Sequence, residues 1–271
     1  LLNRLAGILL LTGFACIVIL PLLLVVFTAF KTTPEFYRNP IGLPAAWSLE
    51  HLVALFKEQP MWRYFGNSLI VTAATVLLEL LLAGMIAYGI IRLGGRGSRL
   101  LFALFAAGLM VPSQVNMIPI YQFVRSLGLM NSLSGLVVVS VSVLLPLSVF
   151  MLSGFMRTLP KEILEAGEID GAGEWRLMLQ IALPLSAPYL AAVSAFLFII
   201  VWNDMLFPML MLTGKENMTL PIALLQFRGE YVTDYPMLLT GVMVASLPVI
   251  ILFVLLQRYF IAGTLAGALK G

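Results

Sequence analysis

Residues 5–30 read LAGILLLTGFACIVILPLLLVVFTAF, 26 consecutive positions without a charged side chain. At 1.5 Å per residue such a run crosses the roughly 30 Å hydrocarbon core of a bilayer, which takes about 20 residues. Uncharged runs recur at 100–124, 126–156, 177–203 and 235–257, and 64–91 is broken only by Glu79. The expected fold is therefore an all-α membrane protein with six transmembrane helices, spanning about 5–30, 67–91, 100–124, 134–156, 187–212 and 236–258. They use so much of residues 1–271 that the chain reads as one transmembrane domain. A β-barrel is excluded, because the runs are continuously apolar rather than alternating.

Composition agrees: 61% of the 271 residues are apolar and 11% are charged, about half the charged share of a soluble domain. The first run has no basic segment before it and no cleavage site after it, so it reads as a retained span. Leu1 in place of Met implies an upstream trim. The net charge of +3 is too small and scattered for a nucleic-acid surface. Cys16, the only cysteine, lies inside the first span, so neither an intrachain disulfide nor a zinc cluster can form. His51, the only histidine, lies between spans without a ligand partner. No G-x-x-x-x-G-K-[ST] phosphate loop occurs, and Gly214-Lys215 runs into Glu216. The chain is not expected to be an enzyme, to hydrolyse ATP or to hold a cofactor. G-x-S-x-G is missing too.

Orientation follows from the loops. Arg4, Arg92, Arg96, Arg99, Arg157, Lys161, Arg176, Arg258 and Lys270 fall on the side of the termini, leaving seven of the 16 basic residues for the other. Three arginines crowd residues 92–99, which makes that side cytoplasmic by the positive-inside rule. Both termini are then cytoplasmic, with His51 and Tyr231 outside. The external segment 31–66 carries a predicted amphipathic helix after Ser48, a candidate N-cap, with Leu49, Leu52, Val53, Leu55 and Phe56 on its apolar face. It is either a connector or a docking element for an external partner.

The cytoplasmic loop 157–186, with the residues that follow it, reads RTLPKEILEAGEIDGAGEWRLMLQIALPLSAP over 157–188. Pro160 suits the first turn of a helix reaching about Ile169, and Glu162 suits the positive end of its dipole. Asp170-Gly171 breaks it, and a second helix is expected from about Glu174 to Pro184. Five of the eight residues 166–173 are Ala or Gly. Small side chains let another backbone approach closely, as on a docking knob.

Glu165-Ala166-Gly167, Asp170-Gly171-Ala172, Ile181, Leu183-Pro184-Leu185 and Pro188 resemble the EAA loop of permease subunits of ATP-binding-cassette importers, in the version of the maltose-type carbohydrate permeases. Asn67-Ser68-Leu69-Ile70, Trp202-Asn203-Asp204, Gln257-Arg258-Tyr259-Phe260, Gly263 and Gly267-Ala268-Leu269-Lys270-Gly271 extend the likeness over nearly the whole chain. Gly167 departs from it, standing where the family has a second alanine. The resemblance implies a type I importer permease in a bacterial or archaeal inner membrane, forming half of a path for a sugar or oligosaccharide. It implies a second permease subunit, commonly non-identical, an external solute-binding protein, and two cytoplasmic ATPases that bind ATP and Mg. It further implies that Glu165, Ala166, Gly167, Asp170, Gly171 and Ala172 contact an ATPase.

Acids inside a membrane are costly and usually face a bundle interior or a wet cavity. Glu79 shares a helix face with Ser68, Thr72 and Thr75, spaced 4, 3 and 4. Asp204 follows Trp202-Asn203 and precedes Pro208, whose ring clashes with the carbonyl of Asp204, so the fifth span should kink there. Pro112-Ser113-Gln114, Asn116 and Pro119 should disrupt the third. On continuous helices Asp204, Asn116 and Gln114 lie about 26, 24 and 21 Å from the cytoplasmic start, and Glu79 about 18 Å below the outer start. Glu79, Gln114, Asn116, Trp202, Asn203 and Asp204 are candidate lining for a polyhydroxylated solute, or else polar ties between helices. The alternatives are an ion-coupled secondary transporter protonating at Glu79 and Asp204, and a non-transporting membrane subunit or enzyme.

Overall fold

The computed structural model describes residues 2–229 and 233–268, with side chains over 4–229 and 233–257. Tyr231, Lys270 and the side chains of the closing motif from Arg258 onward lie outside the described residues. The helices are α1 (Leu2–Ala29), α2 (Thr33–Arg38), α3 (Glu50–Glu58), α4 (Met61–Leu93), α5 (Gly95–Gly108), α6 (Met117–Ser126), α7 (Leu133–Met156), α8 (Lys161–Ile169) and α9 (Glu174–Leu177). A π-helical turn, Met178–Ala182, leads into α10 (Leu183–Leu185), α11 (Ala187–Trp202), α12 (Leu206–Met211), α13 (Leu220–Leu224) and α14 (Tyr235–Ala268). Four of them, α1, α4, α7 and α14, are long and apolar enough to cross a membrane. Together α9 to α11 make a fifth candidate, bent by 75°.

The proline and polar clusters account for breaks in the third and fifth expected spans, and neither α5 nor α6 is by itself long enough to cross a membrane. Between α5 and α6 the chain is not helical over 109–116, so the third expected span is two helices and depths counted along a continuous helix do not apply to Gln114 or Asn116. In the fifth, α11 stops at Trp202 and α12 starts at Leu206, as the Pro208 ring requires. Pro184 and Pro188 each lack an N–H, and the axis turns between them at Ser186.

The chain divides into two compact units. The first comprises Leu1–Phe65 with Leu220–Pro248. Most of α1 there is exposed apolar surface, Leu9, Leu10 and Leu11 among it, as suits a helix hydrophobic all round in lipid. Its end is tied down: buried Lys31 donates from Nζ to the carbonyls of Asn39 (2.8 Å) and Pro40 (3.2 Å), and the Ser48 N–H donates to the Phe30 carbonyl. Ser48 Oγ accepts the Glu50 N–H (3.1 Å) at the start of α3, whose His51 and Leu55 are buried.

The second unit comprises Gly66–Thr219 with Val249–Gly271. Its core joins Ala83, Ala87 and Ile90 of α4 to Val149, Leu152 and Met156 of α7, Leu164 of α8, Leu177, and Val193 and Leu197 of α11. Glycines set two close approaches. A Cβ on Gly84 would lie 3.2 Å from Leu183 Cδ2, and one on Gly108 3.1 Å from Pro146 Cγ. Ser68, Thr72, Thr75 and Glu79 are all buried along one stripe of α4.

Candidate functional site

The loop between α7 and α11 starts from α8. Its end is a Schellman motif: the Gly171 N–H donates to the Glu168 carbonyl (2.9 Å) and the Ala172 N–H to the Gly167 carbonyl (3.0 Å). Gly171 takes φ +77°, where an L side chain is strained, and a Cβ there would meet nothing within 4 Å. Gly167 is buried, and a Cβ on it would come within 2.6 Å of Leu177 Cδ2 and 2.9 Å of Ile181 Cδ1. Each of these two glycines thus has a reason inside the chain, one in backbone conformation and one in packing. What α8 leaves outward is Glu165, Ala166, Glu168, Ile169 and Asp170. Ile169 is 87% exposed and Trp175 65%, an apolar pair beside the turn.

Arg92, at the end of α4, holds this loop. Its Nε donates to Glu174 Oε2 (3.0 Å), its Nη2 to Glu174 Oε1 (2.5 Å), and Nη2 also pairs with Glu168 Oε1. The Tyr88 hydroxyl, one turn earlier, donates to Glu174 Oε2 (2.6 Å). The Arg92 guanidinium, then the Tyr88 hydroxyl, holds the Glu174 carboxyl below its ordinary range. Sequence reasoning missed this clamp, counting Arg92 only among the orienting charges. The available signal was a pair of acids, 168 and 174, flanking a predicted turn.

The two interrupted spans bring polar groups together. Gln114 and Asp204 line one cavity of about 220 Å³ with Ser113, Ser140, Ile200 and Phe207. Ser113 and Gln114 also line a cavity of about 740 Å³ that takes in Asn116, Pro119, Ser142 and Pro146. Asp204 Oδ1 accepts the Leu206 N–H (2.9 Å), covering a donor that the helix break frees. Asn203 Nδ2 donates to the Ile199 carbonyl (2.8 Å) at the end of α11, a tie within its own helix. Trp202 is 1% exposed and stacked on Phe198 with ring centroids 5.6 Å apart. Glu79 is fully buried, with Thr72, Thr75 and Ser148 buried too, and the Ser148 hydroxyl is the polar group set against its carboxylate. Of the six residues, then, Gln114, Asn116 and Asp204 stand at cavities, while Trp202 and Glu79 are closed into protein.

Residues 80–265 match the family described as binding-protein-dependent transport system inner membrane component. The arabinooligosaccharides transport system permease protein AraQ of Halalkalibacterium halodurans is 34% identical over 261 residues, 95% of this chain and 93% of that protein. The diacetylchitobiose uptake system permease protein NgcG of Streptomyces coelicolor is 34% identical over 255 residues, 93% of this chain and 84% of that one. Among solved structures, a chain of a bacterial ABC transporter involved in the import of the acidic polysaccharide alginate superposes with a TM-score of 0.85 at 19% identity, covering 96% of both chains. The extent of these matches and the family they share lead to one assignment: the chain belongs to the inner membrane components of binding-protein-dependent transport systems, as a permease of an ABC importer whose ATP hydrolysis resides in partner subunits.

Proposed function

We propose that this permease forms half of a translocation path for an oligosaccharide, opposite a second, non-identical permease subunit, and couples it to two cytoplasmic ATPases through α8. The substrate class rests on the relatives, whose names specify arabinooligosaccharides, diacetylchitobiose, and melibiose, raffinose and stachyose. Residues 1–271 act as one transmembrane domain of six spans, two of them interrupted, with both termini in the cytoplasm. Gln114, Asn116 and Asp204 contact the solute, since a sugar hydroxyl needs both donors and acceptors and the helix breaks expose them.

The observation that carries the coupling role is the Arg92 clamp. The helix α8, with Ala166 and Ile169 on an uncovered outer face, is bonded through Glu168 to the end of α4, and the same Arg92 holds Glu174 of α9. Displacing α8 therefore loads a 33-residue helix directly. A coupling element must make different contacts in two states, since a partner that binds both equally shifts nothing. Ion-coupled transport at Glu79 and Asp204 gives such a loop no task, and the family assignment leaves that alternative without support.

The test is reconstitution of the chain with the ATPases and second permease that co-purify with it. ATP-dependent uptake of an oligosaccharide delivered by a binding protein is expected. Uptake by the chain alone under a proton gradient would overturn the reading.

A further inference from the structure

Where α4 and α7 end, a cavity of about 600 Å³ is lined by four basic residues, Arg92, Arg99, Arg157 and Lys161, with Ser98 and a single acid, Glu165. Arg92 is already neutralised by Glu168 and Glu174. Arg99, Arg157 and Lys161 have no ion pair among the described residues, which leaves three cations facing one carboxylate. Unpaired like charges repel and are not gathered in a cavity without cost.

These cations are held in place. The Arg157 guanidinium lies 4.3 Å from the centroid of the Phe102 ring, and Arg99 Nε donates to the Gly95 carbonyl (3.4 Å). The 14-residue helix α5 also begins at this cavity, with Gly95 and Ser98 in its wall, and no side chain caps its opening N–H groups. A helix N-terminus and fixed guanidinium groups converging on one space form an anion site, and their geometry suits the oxygens of a phosphate. The surrounding surface points to the source. Leu93, Leu100 and Leu104, on the two helices α4 and α5 that meet at the cavity, are exposed and apolar, as suits a boundary between hydrocarbon and headgroups.

We propose that this cavity binds a phosphate group, supplied by the headgroup of an anionic phospholipid. The site shares Arg92 and, from α8, Lys161, Leu164 and Glu165 with the coupling element, and rests on that reading only for the side of the membrane it faces. It would couple the α5–α7–α8 corner of the permease to the charge of the surrounding leaflet.

The test uses the full chain with its partner subunits in nanodiscs of phosphatidylcholine, with and without phosphatidylglycerol. Native mass spectrometry counts retained phospholipid, and mass mapping after phenylglyoxal treatment reports the reactivity of Arg99 and Arg157. Preferential retention of phosphatidylglycerol is expected, falling about tenfold in the R99Q/R157Q double variant and by less in R99K/R157K, which keeps the charges but not the guanidinium geometry. Protection of both arginines by inorganic phosphate, with no lipid preference, would uphold the phosphate site and reassign its source to free phosphate. Equal retention of both lipids with no protection by phosphate would overturn the proposal. So would protection that appears only when the ATPases are present, which would make the cavity a protein contact. The single variants R99Q and R157Q, each keeping one arginine as reporter, keep these outcomes readable if the double variant fails to fold.

Discussion

Arg92 and Glu174, 82 positions apart, meet through two guanidinium nitrogens and both carboxylate oxygens, and Tyr88 completes the set by donating to the same carboxylate. The arrangement joins the end of the longest helix in its unit to the loop that reads as the coupling element. A planar fork matches a carboxylate better than a point charge does, so lysine is a poor substitute.

The first prediction concerns that fork. Arg92→Lys retains charge but not bidentate geometry, and should lower uptake while substrate-independent ATP hydrolysis persists. Arg92→Gln should uncouple more completely. Both side chains of the pair are partly exposed, so the stability lost should be small, about 1 kcal/mol or less. The measurement is the ratio of uptake to ATP consumed; an unchanged ratio in Arg92→Gln would remove the clamp from the mechanism.

A pH dependence follows from the same contact. The Glu174 carboxyl is held below its ordinary range by Arg92 and Tyr88, so its contribution to the folded loop is fully present above the ordinary carboxylate range. That contribution is lost as pH falls through the lowered folded value. Limited proteolysis of the loop in reconstituted protein should accelerate in acid below that range, and Arg92→Gln should show a smaller change. Identical acid profiles for the two proteins would contradict the linkage.

Gly171 and Gly167 separate backbone from packing. At φ +77° and in open space, Gly171→Asn should be tolerated better than Gly171→Val, because Asn visits the left-handed region and a β-branched residue does not. Gly167→Ala should require only that Leu177 and Ile181 shift, whereas Gly167→Leu overfills the site by about 1–3 kcal/mol. Thermal unfolding ranks these variants. A docking role for α8 is checked instead by Ile169→Glu, which should abolish ATPase co-purification without changing stability.

For the cleft, Asp204→Asn and Gln114→Ala should raise the concentration of sugar needed for half-maximal uptake while leaving the protein assembled. Glu79→Gln should alter stability rather than affinity, since Glu79 faces no solute from inside the protein. Uptake assays paired with unfolding curves distinguish the two. Normal affinity in both cleft variants would return Gln114 and Asp204 to a purely structural role.

Orientation is checked with single cysteines at Ser48, Arg96, Glu168 and Thr233 in a background with Cys16 replaced. A membrane-impermeant thiol reagent applied to intact cells should label 48 and 233 and spare 96 and 168. The reverse pattern would put α8 on the side without ATP.

Counting uncharged positions was enough to find α1, α4, α7 and α14, because a bilayer imposes length and apolarity on each span separately. The breaks near Pro112 and Pro208 were legible for the same kind of reason, since a missing N–H and a ring clash are local. How far the break extends, over 109–116, was not, because neither proline specifies where the helix resumes. At Gly167 and Gly171 composition shows that a side chain is missing, but only coordinates show which neighbour or dihedral demands it inside the chain. The Arg92–Glu174 contact was hidden because nothing along the chain relates positions so far apart. Trp202, an aromatic beside two polar residues, looked like sugar lining but packs on Phe198.

The π-helical turn at Met178–Ala182 sets a phase. Such a turn takes in one residue more than an α-helical path, so everything after it is rotated by about 100° relative to a regular helix. Faces counted forward from Glu174 at 3.6 residues per turn therefore misassign α10, ahead of the bend at Ser186. A one-residue deletion among 178–182 would re-aim Leu183 away from Gly84 without altering a single side chain.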